Sequence, residues 1–184
     1  MPSKNMRSES EESLKGYVQV FTGNGKGKTT AALGLALRAA GAGMSVFIAQ
    51  FAKTGDYSEI ESLKRFDDKI VIKQYGSPGF IVNIAAKDDI ENARKGLREV
   101  REIIASGAYQ LVILDEANIA TYFKLFPPED LLDIIKSKPG HVELVITGRN
   151  ADPLILENAD LVTEMREIKH YFDNGVQARK GIEH

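Results

Sequence analysis

The feature that most constrains this chain is a glycine-rich run from Phe21 to Thr30, which reads Phe-Thr-Gly-Asn-Gly-Lys-Gly-Lys-Thr-Thr. An apolar stretch, Tyr17 to Phe21, leads into it, and an Ala/Leu-rich stretch, Thr29 to Ala40, follows it. A strand, a glycine-rich turn and a helix in this order are the context of a phosphate-binding loop. Glycines let such a loop turn several backbone N–H groups toward one anion, and the helix adds its positive N-terminal end.

Two side chains of this run have a role in a phosphate-binding loop: Lys28 reaches the phosphates and the Thr29 hydroxyl binds Mg²⁺. The strict pattern has glycine at position 22, where this chain has Thr22, so the loop is a variant. The alternative is a glycine-rich turn that merely joins a strand to a helix.

Length and composition predict one domain without export or nucleic-acid binding. The chain has 184 residues, 43% of them apolar, with a net charge of −2 and no cysteine. We therefore expect a single phosphate-loop domain over residues 16–184, without disulfides or thiol catalysis. Residues 1–15 are rich in Ser, Glu and Lys, which predicts a flexible arm and no signal peptide. No basic excess and no long apolar run indicate nucleic acid or membrane as partners, and we expect a cytoplasmic protein.

Strand patterns alternate with helical ones along the chain. Six strands are predicted, over Tyr17–Phe21, Met44–Phe51, Ile70–Gln74, Tyr109–Leu114, Val142–Ile146 and Leu161–Met165. The clearest helices besides the one after the loop are Asp88–Ser106, which Asp88 or Asp89 can cap and Gly107 ends, and Pro128–Lys136. The fold class that this order predicts is α/β, with a mostly parallel sheet and helices on both faces. Ligands of such sheets bind at the carboxyl ends of the strands.

The fourth strand ends in the acids Asp115 and Glu116, beside the expected phosphate loop. Acids at such a strand tip hold Mg²⁺ directly or through water, and the alternative is a solvated turn that caps the next helix. Arg149 follows the fifth strand, where it can bind phosphate oxygens or pair with a surface acid. The polar end of the second strand, Gln50 to Gly55, either contacts a ligand or forms a loop without one. By spacing alone, Arg38 is a solvated charge on the first helix.

The run Thr22–Ala32, with Arg38 beyond it, resembles the phosphate loop of ATP:corrinoid adenosyltransferases of the BtuR/CobO type, P-loop NTPases of RecA-like fold. The resemblance extends over nearly everything from Tyr17 onward. It includes Gln50-Phe51, Gly79-Phe80, Leu114-Asp115-Glu116, Ile146 to Arg149, Lys169 to Gly175 and Gly181-Ile182-Glu183.

This resemblance implies a reaction and its partners. Co(I) of a corrinoid attacks C5′ of ATP and gives adenosylcobalamin and triphosphate, with Mg²⁺ or Mn²⁺ as the metal. A cytoplasmic homodimer and a reduced flavoprotein as electron donor are implied as well. The rival hypothesis is a RecA-like ATPase or a kinase of unknown substrate, which would release phosphate or transfer the γ-phosphate.

The resemblance also assigns the site residues. Catalysis falls to Lys28, Thr29 and Glu116, and the metal to Thr29, Glu116 and Asp115. The nucleotide and the corrinoid are implied to bind Gly23, Asn24, Gly25, Lys26, Gly27, Lys28, Thr29, Thr30, Arg38, Arg149, Phe80 and Val82. Phe80 and Val82 are the residues matched to an aromatic pair under the corrinoid, and Val82 departs from the second, usually Trp. Phe80 can alternatively anchor its loop to the core.

Overall fold

The computed structural model describes residues 15–55, 57–77 and 85–183. Within them lies a six-stranded sheet in the order β3-β2-β4-β5-β1-β6, and every neighbouring pair is parallel. The strands are β1 Val18–Thr22, β2 Val46–Gln50, β3 Ile70–Gln74, β4 Leu111–Asp115, β5 Glu143–Thr147 and β6 Leu161–Glu164. The α-helices are α1 Lys28–Gly41, α2 Ser58–Leu63, α3 Lys87–Ser106, α4 Ala117–Tyr122, α5 Pro128–Ser137 and α6 Pro153–Glu157. Short 3₁₀ helices span Lys64–Phe66 and Tyr171–Asn174.

Helices cover both faces of the sheet, as the sequence predicts. Alternate residues of each strand point to opposite faces, so the buried side chains form two clusters. One cluster joins Ile48, Ile113 and Val145 of the strands to the small side chains of α1. The other joins the opposite face of the same strands to α3, α5 and α6. Strands β2 and β4 are buried along their whole length, which explains their continuously apolar sequences.

The predicted strands begin and end within two residues of the observed ones. β6 differs from the buried strands, because it is an edge strand and all four of its residues are exposed. The start of α3 also differs from the prediction. Ala86 occupies the N-cap, and Asp89 accepts a hydrogen bond from the Ala86 N–H at 2.9 Å instead of capping the helix itself. Gly107, with a φ of 63°, ends the helix as predicted.

The predicted division into an arm, 1–15, and one domain, 16–184, stays a prediction. Of the expected arm, 1–15, only Lys15 belongs to the described residues. In the part of the chain that the structure describes, no helix is long and apolar enough to cross a membrane.

The strand order places polar residues of three neighbouring strands together at the carboxyl end of the sheet. β4 lies between β2 and β5, and the register pairs Gln50 with Asp115 and Leu114 with Ile146. The last residues of these three strands, Gln50, Asp115 and Thr147, therefore form one layer at the carboxyl end of the sheet. β1 pairs with β5 and continues from the same edge into the glycine-rich loop.

Candidate active site

The glycine-rich loop adopts a conformation that only glycines accept readily. Gly23 has a φ of 92° and Gly27, the N-cap of α1, a φ of 120°. A Cβ atom on Gly23 or Gly25 would lie within 2.7 Å of the Met165 carbonyl oxygen, so the chain after β6 packs directly on the loop. Gly25 donates its N–H to that carbonyl at 2.6 Å. This N–H is therefore turned to the protein, whereas the first turn of α1 has no side-chain cap.

The Lys28 side chain is folded back into this loop. It is buried, and its ammonium donates to the carbonyl oxygens of Gly23 and Gly25, each at 2.7 Å. Burial lowers the pKa of Lys28 below its usual value, and the nearby Arg149 guanidinium lowers it further. An anion placed at the loop would strongly stabilise this ammonium, because its positive charge is poorly solvated and is repelled by Arg149.

The hydroxyl of Thr29 and the acids after β4 meet in one place. Thr29 Oγ1 donates to Asp115 Oδ1 at 2.9 Å, which brings the start of α1 against the tip of β4. Asp115 is fully buried and also accepts from Thr147 Oγ1 at 2.7 Å and from Gln50 Nε2 at 3.2 Å. The alternative of a solvated acidic turn is therefore wrong for Asp115.

Glu116 is the N-cap residue of α4, yet its side chain makes no cap hydrogen bond, and its φ is 59°. Burial raises the pKa of Glu116, the Lys53 ammonium opposes that rise, and the Asp115 carboxylate adds to it. Hydroxyl and carboxylate oxygens are the donors that Mg²⁺ prefers.

A lysine that sequence reasoning left without an assigned role lies in the middle of these oxygens. Lys53 Nζ is 3.0 Å from Thr29 Oγ1, 3.1 Å from Asp115 Oδ2 and 3.8 Å from Glu116 Oε1. Burial disfavours its charge, but the carboxylates of Asp115 and Glu116 outweigh burial and raise the pKa of Lys53. A cation thus already sits among the three side chains expected to bind a metal. This observation shows that the donor set fits a cation.

Four other predicted residues differ from these in being exposed to solvent. Asn24, Thr30, Arg38 and Arg149 are exposed, and Arg38 on α1 fits the solvated charge that its spacing predicts. Among the ion pairs of residues 15–55, 57–77 and 85–183, none includes Arg149.

Lys26 binds the C-terminal segment. Its ammonium donates to the Ile182 carbonyl at 2.6 Å and to Glu183 Oε1 at 2.9 Å. Glu183 also accepts from Arg179 and from the Tyr171 hydroxyl. Phe80 and Val82, the expected corrinoid contacts, lie outside the described residues.

The sequence assigns no role to Thr147 and leaves open whether the segment Gln50 to Gly55, which holds Gln50 and Lys53, contacts a ligand. The signal was present, because all three lie at or just after the ends of β2 and β5, the two strands that flank β4.

The sequence profile of the ATP:corrinoid adenosyltransferase BtuR/CobO/CobP family matches residues 14–184. This chain belongs to that family. The corrinoid adenosyltransferase CobA of Salmonella typhimurium is 36% identical over 171 residues, 92% of this chain and 86% of its own. The corrinoid adenosyltransferase of Escherichia coli K12 has the same identity and coverage, and that of a Sinorhizobium species is 37% identical over 98% of this chain and 85% of its own.

A solved structure confirms the fold class. A KaiC-like protein of Pyrococcus horikoshii superposes with a TM-score of 0.57 at 17% identity, over 84% of this chain and 75% of its own. This likeness shows the RecA-like P-loop fold alone. Membership of the adenosyltransferase family makes the chain an enzyme with ATP and a corrinoid as its substrates.

Proposed function

We propose that this enzyme transfers the 5′-deoxyadenosyl group of ATP to Co(I) of a corrinoid by direct displacement at C5′. The electron pair of Co(I) forms the Co–C bond, the C5′–O bond breaks, and its electron pair leaves with intact triphosphate. The observation that supports this most is the meeting of the loop residues Lys28 and Thr29 with Asp115 and Glu116 at one edge of the sheet. Cations and a metal site at a phosphate loop stabilise charge that develops on a leaving triphosphate.

Lys28 is proposed to act on that leaving group. Its ammonium now donates to two loop carbonyls, and a bound triphosphate offers it stronger, charged acceptors. Gly23 to Thr30 are proposed to surround the triphosphate, with Arg149 near enough to Lys28 to add a second positive charge. Arg38 is proposed as a nucleotide residue only from the family resemblance.

Magnesium, or manganese in its place, is proposed to bind Thr29, Glu116 and Asp115. The divalent ion would neutralise phosphate charge and fix the triphosphate in place. Thr29 and the two acids supply oxygen donors from α1 and from the tip of β4. They are too few to enclose the ion, so we propose that phosphate oxygens and water complete its coordination.

The deciding experiment combines the enzyme with ATP, Mg²⁺ and chemically reduced corrinoid. We expect the absorption spectrum of the Co–C bonded product and one intact triphosphate for each product. Orthophosphate instead of triphosphate would contradict the proposal and favour the ATPase hypothesis. Phosphoryl transfer to an acceptor would favour a kinase.

The same assay tests Lys28. Lys28→Ala is expected to lower turnover by roughly two to three powers of ten, the cost of a lost charge-stabilising donor. Lys138→Ala is the matched control. Lys138 also donates to a backbone carbonyl, that of Gly16 at 2.9 Å, and burial also lowers its pKa, but it lies at the opposite edge of the sheet. Equal turnover in both variants, with intact circular dichroism, would contradict the role of Lys28.

Phe80 and Val82 are proposed to lie against the lower face of the corrinoid. An apolar wedge there would keep an axial ligand away from Co(II), because a polar ligand is poorly solvated in apolar surroundings. Phe80→Ala is then expected to impair turnover from Co(II) with a flavoprotein reductant and to spare turnover from Co(I). Equal losses by both routes would mean that Phe80 only packs its loop.

We further propose a cytoplasmic homodimer that takes electrons from a reduced flavoprotein, and light scattering of the purified enzyme tests the dimer.

A further inference from the structure

The Lys53 ammonium stands among the oxygens that are proposed to bind the metal. It contacts the hydroxyl of Thr29 and both acids, each at hydrogen-bond or ion-pair distance. Its side chain is only 19% exposed. Lys53 comes from the segment after β2, Thr29 lies in the first turn of α1, and the two acids lie at the end of β4 and directly after it. Three separate parts of the chain therefore meet at this cation.

From this geometry we propose that Lys53 is a tethered cation that occupies the metal position in the nucleotide-free enzyme and keeps divalent ions out until one arrives with ATP. The inference rests on the proposed metal ligands Thr29, Asp115 and Glu116. It goes beyond them, because it assigns the function of excluding the metal to a residue that is not itself a ligand.

A divalent ion on these oxygens would compete with the Lys53 ammonium. Magnesium binds oxygen at about 2.0–2.1 Å, well inside the 3.0–3.1 Å that separate Lys53 Nζ from Thr29 Oγ1 and Asp115 Oδ2. An ion held by those atoms would lie within a few ångströms of the ammonium, and like charges repel strongly at such a distance in a buried site. The ammonium must therefore move for a metal to enter.

Binding of ATP would favour this movement of the Lys53 ammonium. The triphosphate brings its own oxygen ligands for the metal and new anionic partners for a displaced lysine. A metal ion without ATP brings no extra ligands and no new partner for the lysine. It must therefore displace an ammonium that two carboxylates hold, and the displaced ammonium would be left unpaired. The consequence is an ordered site that takes metal together with nucleotide.

An ordinary buried ion pair is the competing explanation. A structural lysine requires only the carboxylates, and its removal destabilises the protein without creating a metal site. The contact with the Thr29 hydroxyl favours the tethered cation, because it completes the set of side chains that a divalent ion would use.

The test is Mn²⁺ binding to nucleotide-free protein, followed by the paramagnetic resonance signal of free Mn²⁺. Lys53→Met keeps the length of the side chain and removes its charge. We expect its Kd for Mn²⁺ to be at least about tenfold lower than that of the wild type, or about 1.4 kcal/mol in binding free energy. Lys138→Met removes a half-buried lysine far from the site and should bind Mn²⁺ as the wild type does.

The second arm adds ATP to the wild type and counts only the Mn²⁺ that the protein retains beyond what the same ATP concentration binds without protein. If ATP gives tight Mn²⁺ binding and Lys53→Met binds no tighter than wild type without ATP, the role of Lys53 is overturned and the metal site stands. If ATP fails to give Mn²⁺ binding to the wild type, the proposed metal site itself is overturned. Should Lys53→Met fail to fold, Lys53→Gln enters the same titration. Adding Asp115→Asn to either variant should abolish the gained affinity, and its persistence would contradict the inference.

Discussion

Replacing Asp115 with Asn tests whether one buried carboxylate holds the site and the sheet together. The carboxylate is fully buried and accepts from donors on α1, β5, β2 and the segment after β2. Asn keeps its shape but offers one acceptor oxygen in place of two. If that oxygen serves Thr29 and Thr147, the new NH₂ group faces the donors of Gln50 and Lys53.

The expected cost follows from that mismatch. Breaking a buried ion pair costs about 3–5 kcal/mol, and a buried donor without a partner costs about 1–3 kcal/mol. Lys53 keeps Glu116 as a partner at 3.8 Å and is 19% exposed, so the lower part of the range applies. We expect about 3 kcal/mol, which corresponds to a Tm lower by about 6–12 °C for a chain of this size.

Thermal and urea unfolding at pH 7, followed by circular dichroism, measure this loss. Asp130→Asn is the control, because Asp130 also pairs with a cation, Arg101 at 2.6 Å, but on the surface, where such a pair contributes about 1 kcal/mol or less. A Tm for Asp115→Asn within about 2 °C of that control would refute the reasoning, since it corresponds to less than about 1 kcal/mol. Asp115→Asn combined with Lys53→Met should lose less than the sum of the two, because the second change removes the unpaired ammonium.

Two other acids give further predictions. Glu116→Gln is expected to raise the Mg²⁺ concentration for half-maximal activity by about tenfold or more, whereas Glu143→Gln, at the other edge of the sheet, should leave it unchanged. Hydrogen bonds from Arg179 and other donors hold the pKa of Glu183 well below its usual 4.5, so its contribution to docking the C-terminal segment is present above pH 4.5 and is lost as the pH falls through the lowered pKa. The protection factors for hydrogen exchange of residues 171–183, each relative to the unfolded chain at the same pH, should therefore be high at pH 6, fall on acidification below about pH 4.5 and be low at pH 6 in Glu183→Gln; the same protection factors in the variant and the wild type at pH 6 would contradict this.

The order of elements could be predicted because each carries a local pattern. Strands β2 and β4 read as continuous apolar runs because both faces of them are covered, and α3 has its apolar residues at helical spacing. The short helices α2, α4 and α6, of five or six residues, were missed. Such short segments carry less than two turns of pattern, and tertiary contacts decide their conformation.

The site could be predicted only where one segment holds the whole signal. Lys28 and Thr29 belong to the loop itself, and Asp115 and Glu116 follow one strand, so their types and spacing indicate their chemistry. Lys53 differs, because its role depends on β2 lying next to β4 in the sheet. The contact between Lys26 and Glu183 joins residues 157 positions apart and depends on how the chain returns after β6. Pairings of this kind are set by topology and leave no local pattern.

The charge of the site also could not be inferred from the charge of the chain. The net charge of −2 predicts no attraction for an anion. At the carboxyl edge of the sheet, however, the cations Lys28, Lys53 and Arg149 face the acids Asp115 and Glu116, which leaves one positive charge in excess. Burial of Lys28 and Lys53 strengthens the attraction that this excess exerts, because fewer water molecules screen it. A chain with an overall acidic balance thereby presents a positive site to an anion such as a triphosphate.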